Sequence, residues 1–181
     1  MIPTPDKCFA LLQEYEVPQH IIQHSRVVHG VALYLCGAVI RHGAKLDPSL
    51  VEAGSLLHDI TKMKSLEVGE GHPQSGARLL FRLGYPQVAE IVRQHVALDD
   101  GIATGPVTEA VLVHYADKRV KHTTIVSLAE RFRDLKERYG KTPPALAWLE
   151  SLEGKTVELE KRIFHELPIT PESLTSLVHV E

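Results

Sequence analysis

The stretch Ser55-Leu56-Leu57-His58-Asp59-Ile60-Thr61-Lys62 sets a histidine and an aspartate side by side at the end of an apolar helical run. Adjacent side chains on a helix point about 100° apart, so the two share a partner only if something sits between them. A metal ion is the natural candidate, because it binds neutral imidazole and ionised carboxylate at short range. Leu50, Gly54 and His58 are spaced by four, so His58 continues an inward face. The small residues Ala53 and Gly54 let another helix approach closely, and Asp47-Pro48 opens the segment with a cap-then-proline signal.

Outward from this helix the same punctuation recurs, and no segment alternates in the manner of a strand. Thr4-Pro5 opens a helix through about Tyr15, and Pro18 opens another to about Arg41, before Gly43. The second carries a buried stripe of Ile21, Ser25, Val28, Ala32, Leu35 and Val39, with His24 beside it. Residues 61 to 71 read as a loop ending in Gly69-Glu70-Gly71. His72-Pro73 opens a helix to Leu83, stopped by Gly84, and Tyr85-Pro86 starts one whose stripe is Val88, Ile91, Val92 and His95. Asp99 to Gly105 reads as a flexible turn, and Pro106 opens a helix with Ala110, Val113 and Asp117 on one face. Asp117 is thus an acid where an apolar residue is expected. Ser127 to Tyr139 mixes charges around Leu128, Phe132 and Leu135; Thr142-Pro143 begins a long helix to about Leu167, and Thr170-Pro171 a short last one. The fold class expected is all-α.

The chain has 181 residues, enough for one domain with a substantial core and short for two. Lys and Arg number 20 against 23 acids, giving a net charge of −3, so no global basic field suited to nucleic acid is present. A local basic pocket for a phosphate is compatible with that balance. Eleven histidines point to metal or proton chemistry. Cys8 and Cys36 are the only cysteines, which argues for a reducing, cytoplasmic setting and against a zinc–thiolate site. Met1-Ile2-Pro3-Thr4-Pro5-Asp6 lacks the pattern of a signal peptide. The apolar run Val27 to Ile40 falls short of the ~20 residues that span a bilayer, so membrane partners are not expected.

Six residues are candidate metal ligands: His24, His58, Asp59, His72, His95 and Asp117. Singly, each has an ordinary alternative, since a histidine on an apolar face is commonly a hydrogen-bonded core residue. His72 could merely begin its helix, and Asp117 could pair with a buried Arg or Lys. Together they end or continue several apolar faces, and burying so many such groups unpaired is costly. One inorganic centre satisfies them all. Mixed imidazole and carboxylate donors favour Fe or Mn, with Co or Zn as further candidates, over Mg or Ca.

The series His24, then His58-Asp59, then Asp117 resembles the HD-domain superfamily of metal-dependent phosphohydrolases over roughly residues 18 to 122. The resemblance implies a helical HD bundle, here with additional C-terminal helices over about 123 to 181, in one domain spanning 1–181. It also implies one or two divalent transition metals. His24, His58, Asp59 and Asp117 would bind one, and Asp59 would bridge to a second held also by His72 and His95, as in the dinuclear branch. His72-Pro73-Gln74-Ser75-Gly76-Ala77 and Tyr115-Ala116-Asp117-Lys118 look like the symmetrical diadenosine-tetraphosphate hydrolases. Those follow the later histidine with Thr and Gly, whereas Val96-Ala97 follow His95 here. The activity implied is hydrolysis of a phosphoester or phosphoanhydride, in a nucleotide, by a hydroxide bridging the metals, with Asp59 as the bridge. Some HD-like proteins with similar ligands are di-iron oxygenases, and a signalling module that has lost catalysis is a third reading.

Around the ligands, Lys62 follows Asp59 by three and either contacts a substrate phosphate or is a solvated lysine. Arg78, Lys118 and Arg119 carry the same two readings. His114, one turn before Asp117, either orients that acid, donates a proton to the leaving oxygen, or simply packs. The C-terminal helices either cover the core, close over a small phosphorylated substrate, or form a homodimer contact.

Overall fold

The computed structural model describes residues 1–177. Ten α-helices, a two-stranded hairpin and a closing 3-10 turn follow one another in this described part. Helix α1 (Pro5–Glu14) begins where Thr4 accepts a hydrogen bond from the Lys7 N–H, and α3 (Pro48–Leu57) where Asp47 accepts from Ser49. In each, proline occupies the first helical position, where its missing N–H leaves nothing unsatisfied. Between them α2 (Gln19–Arg41) buries the whole stripe from Ile21 to Val39.

Helix α3 is the axis of the molecule. Val51, Ala53, Gly54, Ser55, Leu56 and Leu57 are all buried, so it is surrounded rather than one-sided, and it packs against α1, α2, α6 (Pro86–Gln94) and α8 (Glu109–Lys118). Two apolar clusters meet on it. One joins α2 and α8 to α9 (Leu128–Tyr139) and α10 (Pro143–Phe164) through Val28, Leu35, Val51, Leu112, Phe132 and Leu159. The other joins α1 and α3 to α5 (His72–Arg82) and α6 through Leu11, Leu56, Leu80 and Val88.

The approach of α6 to α3 depends on Gly54. A methyl group there would lie 2.6 Å from Ile91 Cγ2, closer than packed carbon atoms come. Gly54→Ala therefore forces Ile91 from its rotamer or the helices apart, at a cost of about 1–3 kcal/mol, despite the better helix propensity of alanine. A lowered urea midpoint is the expected reading, and an unchanged one would show that the contact is slack.

The sequence reading needs four changes. Residues 61–71 are not all loop, since α4 (Lys62–Val68) forms two turns and ends at Gly69, whose φ of 67° lies in the left-handed region. Asp99–Gly105 likewise contains the short α7 (Asp100–Thr104). Helix α8 starts at Glu109 rather than Pro106, because the Thr108 hydroxyl accepts from the Val111 N–H and supplies the stronger cap. A hairpin of β1 (Val120–Lys121) and β2 (Thr124–Ile125) turns through His122 and Thr123, with His122 at φ 55°. Among the described residues, no helix is long and apolar enough to cross a membrane.

Candidate metal centre

Five helices deliver the candidate ligands to one place. His58 and Asp59 sit at the C-terminal end of α3, His72 at the first turn of α5, His95 at the end of α6, His24 on α2 and Asp117 on α8. All are buried except His72, which is partly open to solvent. His24 Nε2 lies 3.1 Å from Asp117 Oδ1, and His58 Nε2 lies 3.5 Å from Asp59 Oδ2 and 3.7 Å from Asp117 Oδ1. On the other side of Asp59, its Oδ1 lies 3.2 Å from His72 Nε2 and 3.5 Å from His95 Nε2, and the two Nε2 atoms are 3.1 Å apart. The donor atoms of His24, His58 and Asp59, and those of Asp59, His72 and His95, all fall within 4.8 Å of one another. Asp59 belongs to both groups.

The second ring nitrogens fix which atoms face inward. His24 Nδ1 donates to the His122 carbonyl at 2.7 Å, His58 Nδ1 to Ser55 at 2.7 Å and His95 Nδ1 to Val92 at 2.6 Å. With Nδ1 so engaged, each ring turns its Nε2 to the centre, as metal-ligating histidines do. Lone pairs facing carboxylates without a proton between them repel, so the arrangement calls for a cation. His58 Nε2 and Asp59 Oδ1 are buried with no hydrogen-bond partner among the described residues. Ligands about 2.1 Å from a shared ion lie roughly 3.0–3.4 Å from each other, close to the spacings observed. The residues fit one or two divalent ions.

The charge states of the two carboxylates and of His95 suit ligation. Burial pushes the Asp59 and Asp117 carboxyls up. The charges of His58 and Lys62 outweigh it at Asp59, as the Lys118 charge and the His24 contact do at Asp117, so both lie well below the usual carboxylate range. Burial pushes His95 down to about 4, so it is neutral at pH 7 and able to ligate. For His58 burial also pulls downward, but Asp59 and Asp117 prevail and raise it.

The surrounding groups divide. Lys62 Nζ stands 2.6 Å from Asp59 Oδ2 with its side chain one-third exposed, at the open side of the centre. Lys118 is buried and spends its ammonium on Asp117 Oδ2 at 2.7 Å and the His95 carbonyl at 3.0 Å; it faces no solvent from which a substrate could come. His114 Nδ1 donates to the same carbonyl at 3.0 Å, and burial pushes its pKa down to about 3. The ring is therefore neutral at pH 7, and its Nδ1–H supports the end of α6 at His95. Arg78 pairs with Glu70 on the surface. Arg119 is buried and donates to Val126, Tyr115, Glu160 and Pro171, so it is not brought to the centre. The His122 carbonyl was not foreseeable, because a backbone acceptor leaves no side-chain signal. A groove of about 1330 Å³ lies elsewhere, between the end of α2, α7 and α10, and contains none of the six candidates.

A family model described as the HD domain matches residues 21–132, more than half of the chain. The chain belongs to the HD-domain family. That membership points to metal-dependent hydrolase activity in an all-α protein. An uncharacterized protein of Methanocaldococcus jannaschii is 28% identical over 141 residues, covering 71% of this HD protein and 82% of the relative. A tRNA (cytidine(56)-2'-O)-methyltransferase of Picrophilus torridus is 28% identical over 142 residues, covering 75% of this chain. The match takes in 40% of that methyltransferase's own length. No solved structure gives a significant match.

Proposed function

We propose that this HD protein hydrolyses a phosphoester or phosphoanhydride bond in a nucleotide, at a centre of two divalent cations that share Asp59. The observation that carries the reading is the pair of donor groups meeting at Asp59, one of His24, His58 and Asp117 and one of His72 and His95. Bound there, divalent cations supply the Lewis acidity that activates water and neutralises a phosphoryl group. The protein's own part is positional. Ser55, Val92 and His122 hold the ring tautomers. Thr61 ties the start of α5 to the end of α3 by donating to the His72 carbonyl at 3.1 Å.

Lys62 sits where a substrate would enter through the side left open by His72, and its ammonium attracts phosphoryl oxygens there. The two hydroxyls flanking the His58–Asp59 pair are engaged. Ser55 Oγ donates to Val51 at 2.7 Å and Thr61 Oγ1 is engaged with His72, so water is the nucleophile. A nucleotide is favoured by the relative whose name places its own chemistry on tRNA.

Metal analysis of the freshly purified protein, followed by a nucleotide screen with Mn or Fe added, tests this. Phosphate or nucleoside monophosphate should appear equally in air and under nitrogen, and a chelator should abolish it. Oxygen uptake without phosphate release would move the protein to the oxygenase class.

A further inference from the structure

Beside the centre, on the face of α9, three cations crowd one buried carboxylate. Asp134 Oδ1 lies 3.0 Å from Arg138 Nε and 3.9 Å from Lys121 Nζ, while Asp134 Oδ2 lies 3.2 Å from Arg131 Nη1. Exposed Glu130 stands 3.9 Å from Lys121 and is the other acid of the group. The cations are therefore in excess, and Arg131 Nε is buried with no partner among the described residues.

This cluster is tied directly to the ligand shell. Arg138 Nη2 donates to His122 Nε2 at 2.9 Å, and the carbonyl of the same His122 holds the Nδ1 of His24. The last turn of α9 therefore borders the centre on its His24 side.

We infer that Lys121, Arg131 and Arg138, gathered on Asp134, form a second anion subsite that receives a phosphate beyond the one being attacked. The preferred substrate then carries at least two linked phosphates rather than a lone monoester. A carboxylate holding three cations fixes their geometry while leaving net positive charge and unused guanidinium donors, which is what recognition of a phosphate requires. The inference rests on the phosphohydrolase reading for the scissile group.

Calorimetry on the Mn-loaded full-length protein tests it, with the methylene-bridged analogue of ADP and with AMP as probes. They share base and sugar and differ by one phosphate. The diphosphate analogue should bind at least tenfold more tightly, and Arg131→Gln and Lys121→Gln should each erase most of that preference while leaving AMP affinity and metal content unchanged. Lys121 is partly exposed, so its variant decides the matter if Arg131→Gln does not fold. Equal affinity for the two probes, no binding of either, or variants that keep the wild-type preference would overturn the subsite. Turnover of bis-p-nitrophenyl phosphate, measured separately, keeps the two ideas apart. Turnover without the diphosphate preference sinks the subsite alone, and the preference without turnover of any phosphoester sinks the hydrolase alone.

Discussion

Asp59→Ala should give a folded protein with no bound divalent metal and hydrolysis reduced at least about a thousandfold, roughly 4 kcal/mol of barrier. The magnitude follows from position. Asp59 is the residue common to both donor groups, with one oxygen toward His58 and Lys62 and the other toward His72 and His95. Loss of any histidine would leave a site with fewer ligands, but loss of Asp59 takes a donor from both. The core is indifferent to the change, because the apolar contacts of α3 are made by Val51, Ala53, Leu56 and Leu57. Thermal melts with and without Mn separate the two effects. A ligand that binds only the native state raises its melting temperature, so wild type should gain and the variant should not. Retained metal and full turnover in Asp59→Ala would contradict the centre outright.

Much of that centre could be read before any coordinates. His58 completes the face begun by Leu50 and Gly54, and His95 the face of Val88, Ile91 and Val92, so periodicity alone turned both inward. The helices that carry them were legible for a local reason. Thr4-Pro5, Asp47-Pro48 and Thr142-Pro143 each join a side-chain acceptor to a preset φ, and all three open helices. Where two signals compete, the hydrogen bond outweighs the residue type: Pro106 precedes the helix, but Thr108 bonds the free N–H of the first turn.

Other parts left no trace. Helix α4 exposes Leu66 and Val68 and so shows no stripe, and its flanking glycines imitate a loop. The hairpin has two residues per strand, too few to alternate, and its left-handed turn residue is His122 rather than Gly or Asn. The basic residues of α9 look like an ordinary solvated face. Only the burial of Asp134 among them marks them as an organised group.

Arg119→Met should destabilise the fold by about 3 kcal/mol while leaving metal content and KM unchanged. In sequence Arg119 follows Asp117 and Lys118, which suggests a substrate contact, but its position at the end of α8 turns the guanidinium toward the C-terminal helices. There Nη1 meets Tyr115 Oη at 2.6 Å and Glu160 Oε2 at 3.1 Å, Nε donates to the Val126 carbonyl at 2.7 Å and Nη2 to Pro171 at 3.0 Å. One buried side chain thus joins α8, the strand pair, α10 and the closing 3-10 turn. Methionine keeps the volume and removes every guanidinium donor, so the partly buried Glu160 carboxylate loses its cation and keeps only the Tyr115 hydroxyl, and two carbonyls lose their partners. Urea denaturation measures the loss. Glu160→Leu added to Arg119→Met should recover part of it, because the stranded charge goes with its partner, whereas Glu160→Leu alone should not stabilise. A variant of normal stability with a raised KM would return Arg119 to the substrate side. The expected pattern separates two neighbours on one helix end: Asp117 serves the centre, and Arg119 fastens α10 and the closing 3-10 turn, with α10 in turn packing on the α9 that carries Arg131 and Arg138.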